Sequence, residues 1–88
     1  MKSREQVIAL GHQAELFFNT ELGQYIEEMA RLEVEEASDK LAEVDPFDAK
    51  EIQRLQNIIA RFVSFKQWMY NAIAEGNAAY HEYLEEED

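Results

Sequence analysis

The stretch that decides the fold is VDPFDAKEIQRLQ, residues 44–56. It contains the only proline of the chain, Pro46, preceded by Asp45. A residue before proline avoids the α region, whereas proline is well placed at the first position of a helix. The stretch therefore predicts that one helix ends near Val44 and that another begins at Pro46, with Asp45 as its cap and Asp48 completing the cap region.

The same stretch carries three carboxylates, Asp45, Asp48 and Glu51, at i, i+3 and i+6. Carboxylate oxygens suit magnesium or calcium. The spacing, however, lacks the pattern of a calcium-binding loop, and acidic residues at a helix start also complement the positive end of the helix dipole. We favour the cap over the metal site, and we predict neither a metal nor a cofactor.

The composition favours a small helical domain. The chain has 88 residues, 47% of them hydrophobic, with three glycines, one proline and no cysteine. A domain of this size buries only a little over ~60% of the surface that its unfolded chain exposes. A limited core favours self-association, and the absence of cysteine excludes disulfides and thiol chemistry.

Helix signals recur along the chain. Ser3, with Gln6 three residues later, forms a capping-box pattern. Thr20 lies at a predicted break, although a continuous helix through it is an alternative, and Gly76 with Asn77 predicts a stop and a restart. The predicted helices cover about residues 3–18, 21–44, 46–75 and 77–85.

These helices predict an all-α fold in a single domain, residues 1–88. Segments 21–44 and 46–75 form an antiparallel helical hairpin, on which the N-terminal helix packs, and the C-terminal helix is short. Helix 46–75 is apolar over more than half of its circumference near its C-terminal end. One hairpin partner cannot cover that surface, so the N-terminal helix, a second subunit or a target must cover the rest, and we expect oligomerisation to complete a bundle.

Aromatic and apolar side chains cluster in the second half of helix 46–75. Such side chains are enriched in interface cores, but they also form ordinary helical cores, and the sequence leaves both interpretations open. The candidate interface residues are Phe62, Phe65, Trp68, Met69, Tyr70 and Ile73.

Signals of catalysis are weak. The two histidines, His12 and His81, are far apart in the sequence, and no Glu-x-x-His pair of the di-iron bundle type occurs. No nucleophile elbow or glycine-rich phosphate loop is present. We predict that the protein is not an enzyme and that both histidines lie at the surface.

The charge is strongly acidic, with 19 acidic and 8 basic residues and a formal net charge of −11. This balance opposes direct binding to nucleic acid or to an anionic membrane, since both need a basic patch. It is compatible with plain solubility or with mimicry of nucleic acid. No apolar run approaches the ~20 residues of a transmembrane helix.

Several features resemble short acidic all-helical proteins of unknown activity that are encoded by tailed bacteriophages and prophages. The similarity covers about residues 20–86. It rests on Leu22-Gly23, Val44-Asp45-Pro46 with Asp48, Leu55-Gln56, Trp68, and Gly76 followed by Ala78-Ala79. The resemblance implies a phage setting and carries over no catalytic residue.

We therefore expect a non-enzymatic phage structural or accessory protein that acts through protein–protein contacts, for instance in virion assembly. Its expected partners are itself and another protein, of phage or host origin. The alternative is an acidic inhibitor that occupies the nucleic-acid site of a host nucleic-acid-binding or defence protein. The expected location is the host bacterial cytoplasm, with incorporation into the virion as a further possibility.

Overall fold

A computed structural model of the chain describes residues 2–86, and within that range its regular structure is entirely helical. The all-α prediction is thus confirmed. The helices are α1 (Arg4–Asn19), α2 (Glu21–Glu43) and α3 (Ala49–Glu86).

The long helix α3 is the element on which both other helices pack, and α1 and α2 lie along its two halves. Glu27 of α2 forms an ion pair with Lys66 of α3 at 3.7 Å. Towards the other end, Arg4 of α1 forms an ion pair with Glu86 of α3 at 2.7 Å. Where α1 and α2 contact α3, higher residue numbers on the shorter helix lie beside lower residue numbers on α3. Both shorter helices therefore run antiparallel to α3.

The start of α1 follows its local sequence signals. The backbone N–H of Gln6 donates to Ser3 Oγ at 3.2 Å, and the backbone N–H of Ser3 donates to Gln6 Oε1 at 2.8 Å. These two bonds are the capping box that the sequence predicts, and they satisfy donors that have no partner inside the helix.

Thr20 forms a tight corner between α1 and α2. Its hydroxyl donates to the Phe17 carbonyl at 2.7 Å and accepts from the Gly23 N–H at 2.9 Å. An ideal Cβ placed on Gly23 would lie 1.6 Å from the Phe17 carbonyl oxygen. The predicted break at Thr20 is therefore real, and the corner requires glycine three residues later.

The predicted stop at Gly76 is wrong, because α3 continues through this residue to Glu86. Gly76 is buried against Gly11 of α1, and an ideal Cβ on Gly11 would lie 2.9 Å from the Gly76 Cα. Gly76 thus allows two helix backbones to touch, and there is no separate helix at 77–85.

The connection between α2 and α3 also differs in detail from the prediction. Helix α3 begins at Ala49 and not at Pro46. Asp48 caps it, since Asp48 Oδ1 accepts from the Glu51 N–H at 3.2 Å. Asp45 instead holds the turn, accepting from the Phe47 N–H at 2.9 Å. The capping role therefore belongs to Asp48, three residues later than expected.

The molecule is elongated and has a thin core. Its principal extents are 62 × 27 × 17 Å and its radius of gyration is 18.0 Å, whereas a compact domain of this length has a radius of gyration of about 12 Å. Leu55, at 1% exposure, is the one large side chain that is fully buried among residues 2–86. Much of the apolar surface of this chain therefore remains in contact with solvent.

Candidate interaction face

The six candidate interface residues point in different directions. Phe62, Met69 and Ile73 are half-buried, and they follow the seam between α3 and the two shorter helices. Trp68 is 71% exposed. Phe65, beside it, is half-buried and makes an edge contact with Phe17 of α1. The structure therefore divides the cluster into seam residues and an outward-facing group that includes Trp68.

Tyr70 lies on a different side of α3. Its ring stacks on Phe18 of α1 with the centroids 5.9 Å apart, although half of the residue remains exposed. Lys66 interrupts the apolar seam and places its ammonium over the rings of Phe62 and Tyr70 at 5.7 and 5.3 Å. The lysine thus fits the seam by packing against aromatic faces and by pairing with Glu27.

A groove between α2 and α3 shows which exposed side chains share the side of Trp68. It is lined by Glu33 and Lys40 of α2 and by Ile58 and Arg61 of α3, among others. Steps of three or four residues keep side chains on one face of a helix. Such steps lead from Ile58 and Arg61 along α3 to Phe65 and Trp68.

The same steps along α2 lead from Glu33 back to Met29, Ile26 and Leu22. These three side chains are 45%, 38% and 63% exposed. We call this set of five residues the Trp68 face. Its members are Leu22, Ile26 and Met29 of α2 and Phe65 and Trp68 of α3.

The three members of the Trp68 face on α2 also have a signal in the sequence, although it is less conspicuous than the aromatic cluster on α3. Leu22, Ile26 and Met29 recur at steps of three or four residues, a pattern typical of a helix face that packs against a neighbouring helix. In the structure the packed positions are neighbouring ones, such as the buried Gly23 and Ala37. The row from Leu22 to Met29 lies on the solvent-exposed side of these packed positions, and it extends the surface around Trp68.

Phe47 is a separate exposed apolar residue. It lies in the connection between α2 and α3 and is 94% exposed. Its exposure is not evident from the sequence, because a hydrophobic residue immediately before a helix cap often packs against the helix that follows.

Ion pairs occupy much of the charged surface outside this face. Arg31 bridges Glu28 and Glu35 along α2, and its hydrogen bond lowers the pKa of Glu28. Lys40 pairs with Glu36 at 2.9 Å, with the glutamate four residues before the lysine, which is the favourable order on a helix, and it lowers the pKa of that carboxyl. Several acidic residues of α2 are thus locally neutralised.

The carboxylates of the 44–56 stretch act on their own backbone and neighbours. Asp45 and Asp48 accept the backbone bonds described above, and Glu51 pairs with Arg54 at 2.6 Å, which lowers the pKa of Glu51. Among residues 2–86, no three histidine, aspartate or glutamate side chains converge as metal ligands would.

The histidines lie at the surface. His12 lines a shallow groove between α1 and α3 with Glu15 and Tyr80, among others. The His81 ring makes an edge contact with the ring of Tyr80, with the centroids 6.3 Å apart. Both residues are accessible from solvent.

Comparisons with known proteins return no relationship: no family model matches the chain, and neither a curated protein nor a solved structure is significantly similar to it. None of the helices described here combines the length and the apolar character needed to cross a membrane. The Trp68 face is therefore the main feature on which a function can be proposed.

Proposed function

We propose that this chain is a non-enzymatic interaction protein whose contact surface is the Trp68 face. The observation that carries the proposal is the 71% exposure of Trp68, on the side of the molecule that helical spacing also gives to the exposed Leu22 and Met29. Tryptophan is the residue type most enriched among the side chains that dominate binding energy. Contiguous apolar surface of this kind marks interaction sites on soluble proteins.

The biological setting that we propose is a tailed bacteriophage or prophage. Its support is the resemblance carried by the 44–48 turn, Trp68 and Gly76. In that setting the chain acts as a structural or accessory protein of the particle or of the infected host cytoplasm. Its contacts are with protein, and nucleic acid and membrane are not direct ligands, in keeping with the net charge of −11.

The alternative function is mimicry of nucleic acid, and the net charge is the observation that favours it. The ion pairs of Arg31 and Lys40 with their neighbours weaken this alternative, because they neutralise part of the acidic surface of α2. Salt separates the two functions. A mimic loses its partner steeply as salt rises, whereas contact through the Trp68 face persists.

The proposal is tested by placing a photo-crosslinking amino acid at position 68 in cells that produce the chain. The matched control carries the same amino acid at Glu15, which lies in the groove on the opposite side of α3 from Arg61 and Trp68. We expect covalent protein adducts at position 68 whether a lysate of these cells is irradiated at low or at high salt, and none at position 15.

Equal yields of adduct at the two positions, or no adduct at position 68, would contradict the proposal. Adducts at position 68 that form at low salt but not when the lysate is irradiated in high salt would instead favour the acidic mimic. The mass of each adduct identifies what was bound, so that a second copy and a different protein are told apart.

A further inference from the structure

The residues at every seventh position of α3, from 54 to 82, form a row that is basic at one end and acidic at the other. The row reads Arg54, Arg61, Trp68, Glu75, Glu82. A seven-residue repeat keeps side chains on one line along a helix that winds around a neighbour. Two cations therefore precede the exposed tryptophan on this line, and two anions follow it.

The charges nearest the tryptophan are available for a new contact. Arg61 and Glu75 are exposed, and neither forms an ion pair within residues 2–86, in contrast to Arg54, which pairs with Glu51. Arg61 also lines, with Trp68, an open depression of about 860 Å³. In a chain with an excess of acidic residues, a guanidinium without a partner is a distinctive feature of this surface.

A second row lies four residues after the first along α3. It contains two large side chains before Trp68, Ile58 and Phe65, and two small ones after it, Ala72 and Ala79. All four are half-buried and keep part of their surface towards solvent, although Phe65 also contacts Phe17 of α1 and the Ala72 carbonyl lies against Gly11 of α1. Side-chain size thus changes from large before Trp68 to small after it, just as charge changes from basic to acidic.

We infer that two copies of this chain pair through α3 in antiparallel orientation, with a two-fold axis at Trp68. In an antiparallel pair centred on position 68, a residue that precedes Trp68 in one copy faces the residue about as many positions after Trp68 in the other copy. Arg61 of one copy then meets Glu75 of the other, Arg54 meets Glu82, and the two tryptophans meet at the axis. In the second row Phe65 faces Ala72, and Ile58 faces Ala79.

This arrangement is self-complementary, as a two-fold contact must be. Each basic residue faces an acidic one, and each large apolar residue faces a small one. A parallel pairing in register would instead set Arg61 against Arg61 and Glu75 against Glu75. Charge therefore selects the antiparallel orientation.

The exposed area also fits a second copy. The chain exposes 6903 Å², whereas a compact protein of this mass exposes roughly 5,400 Å², leaving an excess of roughly 1,500 Å². A stable protein–protein contact buries about 800 Å² on each partner. The row on α2 adds to the contact, because Leu22, Ile26 and Met29 lie on the same side as the paired helices.

The inference rests on the proposed function, because it names a second copy of the chain as the protein that binds the Trp68 face. The self-pairing and the proposed function can nevertheless be disproved by different results. An adduct at position 68 with a different protein leaves the interaction function standing and removes the self-pairing. The absence of any adduct at that position removes both.

The test is charge reversal, with association measured by analytical ultracentrifugation. We expect the unaltered chain to sediment as a dimer at micromolar concentration. Arg61→Glu and Glu75→Arg should each weaken dimerisation by about tenfold or more, because each sets like charges against each other at two places in the contact. The double variant, Arg61→Glu with Glu75→Arg, restores opposite charges and should dimerise like the unaltered chain.

A mixture of the two single variants should also form dimers, since each variant supplies the charge that the other needs. Glu15→Arg is the matched control, with the same change in net charge as Glu75→Arg but on the opposite side of α3, and should leave the dimer intact. Circular dichroism shows whether every variant keeps its helices.

Two results of the association measurements would also overturn the inference. One is a helical chain that remains monomeric at ~100 µM, well above the concentrations at which specific contacts of standard size form. The other is a double variant that stays as weak as the single ones while its helical signal is unchanged, because then positions 61 and 75 do not face each other.

Discussion

Gly11 of α1 and Gly76 of α3 meet backbone to backbone, and this contact fixes how closely the two helices pack. An ideal Cβ on Gly76 would lie 2.9 Å from the Gly11 Cα and 3.2 Å from the Val7 carbonyl oxygen. Real Cβ atoms do not approach backbone atoms this closely, so any larger residue forces the helices apart.

Gly76→Ala is therefore expected to destabilise the protein, although alanine is the better helix former by about 1 kcal/mol. Overpacking of a rigid contact costs about 1–3 kcal/mol and outweighs that gain. Urea unfolding at one fixed protein concentration measures the change in the free energy of unfolding. Asn77→Ala, at the exposed neighbouring position, is the control and should be neutral or slightly stabilising. A stabilised Gly76→Ala variant would show that the helices are not in close contact.

The corner at Thr20 gives the second prediction. Thr20→Ala removes both the acceptor for the Gly23 N–H and the donor to the Phe17 carbonyl, and we expect a loss of about 1 kcal/mol of stability. Thr20→Ser keeps the hydroxyl and should retain most of it. Thermal unfolding followed by circular dichroism compares the two variants, and equal stabilities would mean that the hydroxyl contributes nothing to the corner.

The start of α3 gives the third prediction. Asp48→Ala should cost about 1 kcal/mol, because the side chain accepts from the Glu51 N–H at the helix start. Asp48→Asn keeps an acceptor oxygen and should cost less. Chemical unfolding of the two variants measures the difference. If Asp45→Ala were clearly more harmful than Asp48→Ala, the cap would lie at the position that the sequence alone suggested.

Local sequence signals were sufficient for the all-helical class, the capping box at Ser3 and the corner at Thr20, because each depends on residues within a few positions of one another. Gly76 was misjudged for a physical reason. A glycine that ends a helix and a glycine that admits a neighbouring backbone look alike in sequence, and the second role depends on Gly11, which is distant in the chain.

The Trp68 face was predictable only in part. The aromatic cluster pointed to α3, but whether a side chain there is packed or exposed depends on the side on which α1 and α2 lie. Phe62 and Trp68 are six residues, about 1.7 turns, apart on one helix, yet the first follows the seam and the second faces solvent. The row of reversed charges becomes meaningful once that exposed side is known.

The fourth prediction concerns pH and the ion pair on α2. The hydrogen bond from Arg31 lowers the pKa of Glu28 in the folded chain. A carboxyl with a lowered pKa contributes stability that is present above its pKa in the unfolded chain and is lost as pH falls through its pKa in the folded chain. The unaltered protein should therefore be more stable than Glu28→Gln at pH 7, and the difference should shrink as pH falls through and below the ordinary titration range of a glutamate carboxyl.

Arg31→Gln supplies the control for this effect, because it removes the cation that lowers the pKa of Glu28. In that background Glu28→Gln should change stability by nearly the same amount at neutral and at acidic pH. Urea unfolding at several pH values, followed by circular dichroism, measures the four proteins of this cycle. A difference between the unaltered chain and Glu28→Gln that grows as pH falls would contradict the ion pair, because protonation would then favour the fold that it is expected to weaken.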